Sequence, residues 1–175
     1  MQTIFPVEKT LAVLSNTPHA VRALLQGLDD EWITKNEGLN TWSAKEVVAH
    51  LIVCEETNWI PRAKIILSQK QDVPFIPIDM QIHFEYAQKA SINELLQSFL
   101  NLRQESIEQL KSFELTPNDL EKTAIHPKLG HVKLSELLAT WVTHDLTHIA
   151  QIARVIAKQN KPFVGPFEVY LSVLK

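Results

Sequence analysis

The chain is poor in residues and segments that several classes of protein require. Its 175 residues include a single cysteine, Cys54, so no intrachain disulfide can form and a reducing, cytoplasmic location is the simpler expectation. Four glycines are few for a sheet protein with many tight turns. No window approaches the roughly 18 apolar residues of a membrane-spanning helix. The first stretch, MQTIFPVEKTLAVL, also lacks the basic segment and long apolar run of a signal peptide.

An excess of positive charge is missing as well. The 17 lysines and arginines are outnumbered by 20 aspartates and glutamates, which gives a formal net charge of -3 and a pI of about 6.2. Without a basic run, the sequence offers no electrostatic surface for nucleic acid. Hydrophobic residues make up 45% of the chain, and its length suits one domain over residues 1–175 with a sizeable core.

Four long segments repeat apolar residues at helical spacing, and they cover residues 7–28, 44–68, 91–113 and 135–158. We expect the first segment to break near Thr17 and Pro18, because threonine caps helices and proline suits a first helical position. A short leading turn should therefore precede a main helix from Pro18 to Gly27.

Two capping boxes mark where the second and third helices begin. Ser43 is followed three residues later by Glu46, and Ser91 by Glu94, so each hydroxyl and carboxylate can satisfy the other's backbone N–H. Pro61 lies inside the second segment and should kink or split it. With a third helix that ends near residue 113 and a long fourth helix, the pattern predicts an all-α four-helix bundle.

The connections between these helices are long, so crossover connections are expected. KQDVPFIPIDM, residues 70–80, is predicted to be a loop, and residues 115–134 to be irregular. The apolar tail, residues 161–175, should pack back on the bundle. The loop 70–80 contains three apolar residues, Phe75, Ile76 and Ile78. At least one of them should pack over the mouth of a site or at a dimer interface.

The fourth helix contains the sequence HDLTHIAQIA, in which His144 and His148 lie four residues apart. On a helix such a pair shares one face, with Cβ atoms about 5–6 Å apart, so both imidazoles can bind one metal ion. Apolar residues lie one or two turns away on the same stripe, including Trp141 and Ile152. The pair therefore faces the core, where unpaired polar groups are costly. Two core histidines with other hydrogen-bond partners are the alternative.

A metal site needs a third ligand, and His50 in the second helix is the best candidate. Its helical neighbours Val47, Val53 and Cys54 are apolar or small, so its ring should also point inward. Taken alone, His50 is better explained as a core histidine bound to a carbonyl. Three inward histidines on two long helices together favour a shared metal ion.

Four neighbours of these histidines are candidates for supporting roles. Asp145 is turned about 100° around the helix, so it could position a ligand or another helix, or be solvated. Gln151 lies one turn past His148 and could reach bound water or substrate, or be an amide at the core edge. Glu46 and Cys54 lie one turn before and after His50 and are candidate fourth ligands, although a buried structural thiol is preferred for Cys54.

The other histidines carry weaker signals. His19 should be solvated in the first turn of its helix, and His83 is a candidate pocket residue after the proline-rich loop. His126 and His131 flank PKLG and should be surface or turn residues.

These motifs together resemble the DinB/YfiT-like family of metal-dependent enzymes. The resemblance covers nearly the whole chain: TPHAVRALLQGL, WSAKEVVAHLIVCEE, FLNLRQESIEQL, HPKLGHVKLSELLATWVTHDLTHIAQIARV and VGPFEVYL. It implies a four-helix bundle with a long crossover and a divalent metal ion held by His50, His144 and His148. Nickel or zinc is the expected metal, with manganese or iron as alternatives.

The resemblance also implies chemistry with low-molecular-weight thiols. An open metal site activates a water or a thiol, so the predicted function is S-transfer to small electrophiles, with metal-dependent hydrolysis as the alternative. Asp145 and Gln151 are the proposed catalytic residues, and Arg62 and Arg103 could bind carboxylates of a thiol cofactor or form structural ion pairs. A non-enzymatic, metal-stabilised bundle is the rival hypothesis. The expected partners are a small-molecule substrate and a second copy of the chain, without nucleic acid or membrane.

Overall fold

The computed structural model describes residues 5–68 and 73–175 and contains the predicted helical bundle. Nine helices are present in the described ranges: α1 Val7–Leu25, α2 Asp30–Thr34, α3 Ala44–Thr57, α4 Trp59–Leu67, α5 Ile82–Lys89, α6 Ile92–Ser112, α7 Pro117–Leu120, α8 Leu134–Gln159 and α9 Lys161–Val164. Helices α1 and α3 each pack against both α6 and α8, so α1 and α3 lie on one diagonal of the bundle. Of the consecutive long helices, α3 and α6 are neighbours, whereas α1 and α3, and likewise α6 and α8, lie on diagonals of the bundle, which confirms the predicted crossover arrangement.

The helix starts predicted from capping boxes are confirmed. The Ser43 hydroxyl accepts the Glu46 N–H at 3.3 Å, and the Glu46 carboxylate accepts the Ser43 N–H at 2.7 Å. The same reciprocal pair begins α6 at Ser91. The predicted split near Pro61 lies at Asn58, between α3 and α4, because proline cannot donate the helical hydrogen bond to residue 57.

The predicted break in the first helix is wrong, since α1 runs through Pro18 without interruption. Thr17 does not cap a helix; its hydroxyl donates to the Val13 carbonyl inside α1. Proline has no N–H to donate to the carbonyl four residues earlier, which here belongs to Leu14. The Arg103 guanidinium donates to that carbonyl at 3.0 Å and replaces the missing bond.

Arg103 lies at the centre of a buried ionic network. Its side chain is 1% exposed and donates to the Asp145 carboxylate at 2.6 and 3.2 Å and to Glu55 at 2.6 Å. The Trp141 indole N–H also donates to Glu55, at 3.1 Å. One cation thus faces two carboxyl groups, and burial raises the pKa of Glu55 despite the opposing effect of Arg103. The network joins α1, α3, α6 and α8.

The segment predicted as irregular contains a short hairpin that the sequence did not indicate. Strands β1 Thr123–His126 and β2 Gly130–Lys133 pair antiparallel, with Ala124 opposite Val132. Each strand has only four residues, too few for alternation of apolar and polar residues to stand out. Gly130 closes the turn with a φ of 74°, a conformation that favours glycine.

The proline-rich loop packs on this hairpin. The Phe75 N–H donates to the Ile125 carbonyl at 3.0 Å, and the Phe75 ring is buried in the core beside α4. Ile76 is exposed, and Ile78 is partly buried against the same core. Phe75 thus anchors the loop rather than covering the histidines. Residues 70–72 of the predicted loop lie outside the described residues.

The prediction that the tail packs back on the bundle is wrong for most of its apolar residues. Leu174 is buried, but five others are exposed: Phe163, Phe167, Val169, Tyr170 and Val173. Phe167, Val169 and Tyr170 lie in the short 3-10 turn Gly165–Tyr170, whereas the last turn, Ser172–Leu174, packs against α8. Within residues 5–68 and 73–175, no helix combines the length and apolar character needed to cross a membrane.

We expect Arg103→Met to lower the free energy of unfolding by about 3–5 kcal/mol, because it leaves two buried carboxyl groups without their cation. Urea denaturation followed by circular dichroism measures this change. Arg22→Met is the matched control, since Arg22 binds Gln97 at the surface of α1 and α6. If Arg103→Met lowers the free energy of unfolding no more than Arg22→Met does, the network does not have this central role.

The link between Arg103 and Pro18 can be measured separately. In Pro18→Ala, the new N–H can bond to the Leu14 carbonyl, so this carbonyl no longer depends on Arg103. We therefore expect Arg103→Met to cost about 1 kcal/mol less in the Pro18→Ala background. Equal costs in both backgrounds would show that the Leu14 carbonyl contributes nothing to the coupling.

Candidate metal centre

Three imidazoles converge between α3 and α8. The Nε2 atom of His144 lies 3.2 Å from the Nε2 atom of His50 and 3.2 Å from that of His148. One ligand atom from each of the three rings lies within 4.8 Å of the others. The predicted convergence of His50, His144 and His148 on one point is therefore confirmed.

Helix geometry places these three rings. His144 and His148 lie one turn apart on α8, and the capping box at Ser43 fixes the start of α3, two turns before His50. His50 is 5% exposed and His148 is 9% exposed, so the cluster is formed by core-facing positions. The stripe of apolar residues therefore predicted the correct faces of both helices.

The hydrogen-bonding state of the cluster fits a cation. His148 Nδ1 lies 2.8 Å from the Gln151 side-chain oxygen, which can only accept, so Nδ1 carries the proton and Nε2 presents a lone pair. A proton on His144 Nε2 could form a hydrogen bond to the Nε2 atom of His50 or to that of His148, but not to both. A single divalent ion would satisfy all three nitrogens, so the residues fit a metal ion.

Burial also keeps these ligands in the form that metal ions need. Burial, and then the neighbouring His148, lower the pKa of His50 and of His144 to about 3. Burial likewise lowers the pKa of His148, although its bond to Gln151 opposes this. All three rings are therefore neutral near pH 7 and can donate their lone pairs to a metal ion.

Trp42 and His83 border the cluster, as does Trp59, whose ring centroid lies 5.1 Å from that of His144. The Trp42 ring is nearly parallel to the His148 ring, with centroids 6.2 Å apart, and lies 4.8 Å from the His50 centroid. His83, predicted as a pocket residue, is 1% exposed and lies 4.4 Å from Trp42 and 5.7 Å from His50. Both ring nitrogens of His83 lack a partner among the described residues, a cost that a polar ligand in the site would relieve.

Neither candidate for a fourth protein ligand completes the cluster. The Glu46 carboxylate is bound to Ser43 in the capping box. The Cys54 sulfur lies 3.5 Å from His50 Nε2 and 4.0 Å from His144 Nε2, yet it is outside the group of mutually close ligand atoms. Burial raises the pKa of this thiol to about 12, which agrees with the preferred interpretation of Cys54 as a buried thiol. Within the described residues, the protein thus supplies three ligands.

The predicted catalytic residues lie in different environments. Gln151 contacts the centre, where it accepts a hydrogen bond from His148 and fixes the orientation of that ring. Asp145 is fully buried on the other side of α8 and binds Arg103. Its contacts are those of a helix-positioning residue, because a rotation of about 100° per residue turns it away from His144.

The two arginines proposed to bind a thiol cofactor have structural contacts instead. Arg103 is enclosed by Glu55 and Asp145, so it offers no surface to a cofactor. The Arg62 guanidinium lies 4.9 Å from the centre of the Phe75 ring and donates to the Ile76 carbonyl at 3.3 Å. Arg62 therefore holds the proline-rich loop. Structural ion pairs were the alternative for both arginines. Arg103 forms such pairs, whereas Arg62 contacts an aromatic ring and a backbone carbonyl instead.

A cleft beside the centre contains residues that the sequence did not single out. It encloses about 260 Å³ and is lined by Glu37, Asn40, Thr41, Trp42, Gln151 and Arg154. Trp42 and Gln151 border both the cleft and the histidine cluster. Arg154 lies three residues after Gln151, which is one turn of α8, and this spacing was the only sequence signal for it.

The remaining histidines lie away from the centre, as predicted. His19 is exposed on α1. His126 accepts the Lys128 and Leu129 N–H groups in the hairpin turn at 3.1 and 3.3 Å, and His131 lies in β2.

Comparisons with known proteins agree with this arrangement. Two relatives, from Bacillus mycoides and Bacillus cereus, are each 24% identical over 168 residues, which covers 88% of this chain and 87% of theirs. Both bear the name "putative metal-dependent hydrolase". These relatives extend along most of the chain, so the likeness is not limited to the histidine motifs.

A solved structure shares the fold. YfiT from Bacillus subtilis, described as "a probable metal-dependent hydrolase with an unusual four-helix bundle topology", superposes with a TM-score of 0.76 over 91% of this chain and 92% of that chain, at 20% identity. The predicted all-α bundle is thereby confirmed. The family model of the DinB superfamily matches residues 14–152, and this chain therefore belongs to the DinB superfamily.

Proposed function

We propose that the protein is a metal-dependent hydrolase of a small molecule, with one divalent ion held by His50, His144 and His148. The observation that carries the proposal is the set of three neutral imidazole nitrogens, with neighbouring Nε2 atoms 3.2 Å apart. Relatives that align with 88% of the chain are named as metal-dependent hydrolases, which supports the same class of reaction.

The number of ligands favours catalysis over a purely structural metal. Three protein ligands are typical of catalytic zinc, whereas structural zinc usually has four, mostly cysteines. A divalent metal in such a site supplies a Lewis acid and activates water at neutral pH. Gln151 holds the proton of His148 on Nδ1, which keeps Nε2 available, and the Trp42 ring lies nearly parallel to the His148 ring beside the cluster.

Hydrolysis is preferred here over the thiol transfer expected from the resemblance. The two arginines considered for a thiol cofactor are engaged with Glu55, Asp145 and the proline-rich loop, so no described contact points to a thiol. S-transfer, the choice of nickel or zinc over manganese or iron, the homodimer and the cytoplasmic location stay predictions.

The first prediction concerns the metal ligands. We expect His148→Ala to abolish tight binding of Zn²⁺ and any hydrolytic turnover, because two imidazoles do not hold the ion as three do. The helical circular dichroism and cooperative melting should persist, since 175 residues form a sufficient core without a metal. Zn²⁺ titration against a chromophoric chelator measures the loss.

His19→Ala is the matched control for this variant, because His19 is exposed on α1 and should leave Zn²⁺ affinity unchanged. If His148→Ala unfolds the protein, the metal is structural and the non-enzymatic hypothesis is preferred.

The second prediction concerns Gln151. Gln151→Leu removes the acceptor that orients His148, so we expect Zn²⁺ affinity to fall by about 10–100-fold while the fold is kept. The same chelator titration measures the change. Gln104→Leu, at an exposed position of α6, should have no such effect. If Gln151→Leu and the unaltered protein bind Zn²⁺ equally tightly, Gln151 does not support the metal ligands.

The third prediction concerns the reaction itself. We expect the Zn²⁺-loaded protein to hydrolyse members of a panel of small amides and esters, with turnover lost on chelation and regained on addition of Zn²⁺. The panel is run with and without cysteine as a thiol. Turnover that requires the thiol would favour S-transfer, and stoichiometric metal without turnover in either series would favour the non-enzymatic bundle.

A further inference from the structure

We propose that the cleft beside the histidine cluster binds a carboxylate of the substrate through Arg154, with Lys158 supporting it. The proposal rests on the proposed function and narrows its substrate class to small carboxylic acids. The cleft is open to solvent, has a volume of about 260 Å³ and shares Trp42 and Gln151 with the centre. A molecule that reaches the histidines through this cleft therefore passes Arg154.

The charges around the cleft favour an anion. Arg154 donates from Nε and Nη2 to the Glu37 carboxylate at 2.5–3.0 Å, and the Lys158 ammonium lies 3.1 Å from the same carboxylate. Two cations thus share one anion, which leaves a net charge of +1 in this group. Hydrogen bonds from Arg154 lower the pKa of Glu37 to about 2, so this balance holds at neutral pH.

The side chains of Arg154 and Lys158 are more exposed to solvent than that of Glu37, as the binding of an anion requires. The side chains of Arg154 and Lys158 are 41% and 31% exposed, whereas that of Glu37 is 6% exposed. Glu37 therefore forms the base of the group and the cations face the open side. The Arg154 Nη1 group has no acceptor among the described residues, so one edge of the guanidinium is available for a second carboxylate.

Helix geometry sets the distance that the substrate must span. Arg154 lies six residues after His148 on α8, which is about 9 Å along the helix axis and about 120° around it, so the two side chains are connected through Gln151 and Trp42 rather than along one helix face. The scissile bond should lie at the histidines and the carboxylate at Arg154. The intervening part of the substrate would pass Trp42, whose ring borders both regions. A ligand with its reactive and acidic ends separated by several carbon atoms fits this arrangement.

Hydroxamates provide probes that separate the two contacts. Acetohydroxamate carries only a metal-binding group, whereas the monohydroxamates of succinic, glutaric and adipic acid add a carboxylate at increasing distance. Their methyl esters have the same shape without the charge. Calorimetric titration of the Zn²⁺-loaded protein measures each dissociation constant.

We expect at least one acid to bind about tenfold more tightly than its methyl ester, because hydrogen bonds to a charged group are among the stronger ones. Arg154→Gln should remove this preference without changing acetohydroxamate affinity. Glu37→Gln should enlarge the preference for the acid over its ester, since Arg154 and Lys158 then lose their anionic partner. Arg22→Gln, the matched loss of charge at the distant α1–α6 surface, should leave the preference unchanged.

The outcomes separate this inference from the proposed function. If acetohydroxamate itself fails to bind, the open metal site and the inference both fail. If it binds but no acid is preferred over its ester, only the carboxylate subsite is overturned, and a preference that survives in Arg154→Gln overturns the role of Arg154. Circular dichroism verifies folding. Should Arg154→Gln not fold, Glu37→Gln decides, and an unchanged preference there overturns the proposal.

Discussion

The buried guanidinium of Arg103 is the contact on which the arrangement of this bundle depends. It binds one group from each of the other three bundle helices: the Leu14 carbonyl, Glu55 and Asp145. A buried cation is costly unless it is paired and fully hydrogen-bonded, so alternative packings that separate these groups are strongly disfavoured. The network therefore specifies which faces of the four helices meet, in addition to any stability that it contributes.

The histidine cluster lies directly beside this network and shares its helices. Asp145 follows His144 on α8, and Glu55 lies five residues after His50 on α3. When Arg103 holds both carboxyl groups, it fixes the rotation of α3 and α8 about their axes, and the histidines on the adjoining faces are brought together. The contacts of Asp145 are with Arg103, so this aspartate positions α8 and is not one of the grouped candidate ligands.

The histidine cluster and the adjoining cleft differ in charge. The histidine cluster is buried, and burial keeps its rings neutral, so it accepts a cation without prior charge. The adjoining cleft is open and carries an excess positive charge near Arg154. A substrate with an acidic end and a neutral, polarisable end would be oriented by this difference, because only the acidic end is attracted to the cleft.

The features that depend on local chemistry could be predicted from the amino-acid sequence. Capping boxes at Ser43 and Ser91 fixed two helix starts, and the apolar stripes identified His50, His144 and His148 as inward-facing, because helical period and capping involve residues close in the chain. The continuity of α1 through Pro18 could not be predicted in this way, because the Leu14 carbonyl is satisfied by Arg103, 89 residues away. The partners of Arg103 and Arg154 were likewise beyond local patterns, since a charged side chain alone does not specify which distant group it binds. The cleft could not be predicted for the same reason. Its walls come from a loop and a helix more than 100 residues apart, which only the folded chain brings together.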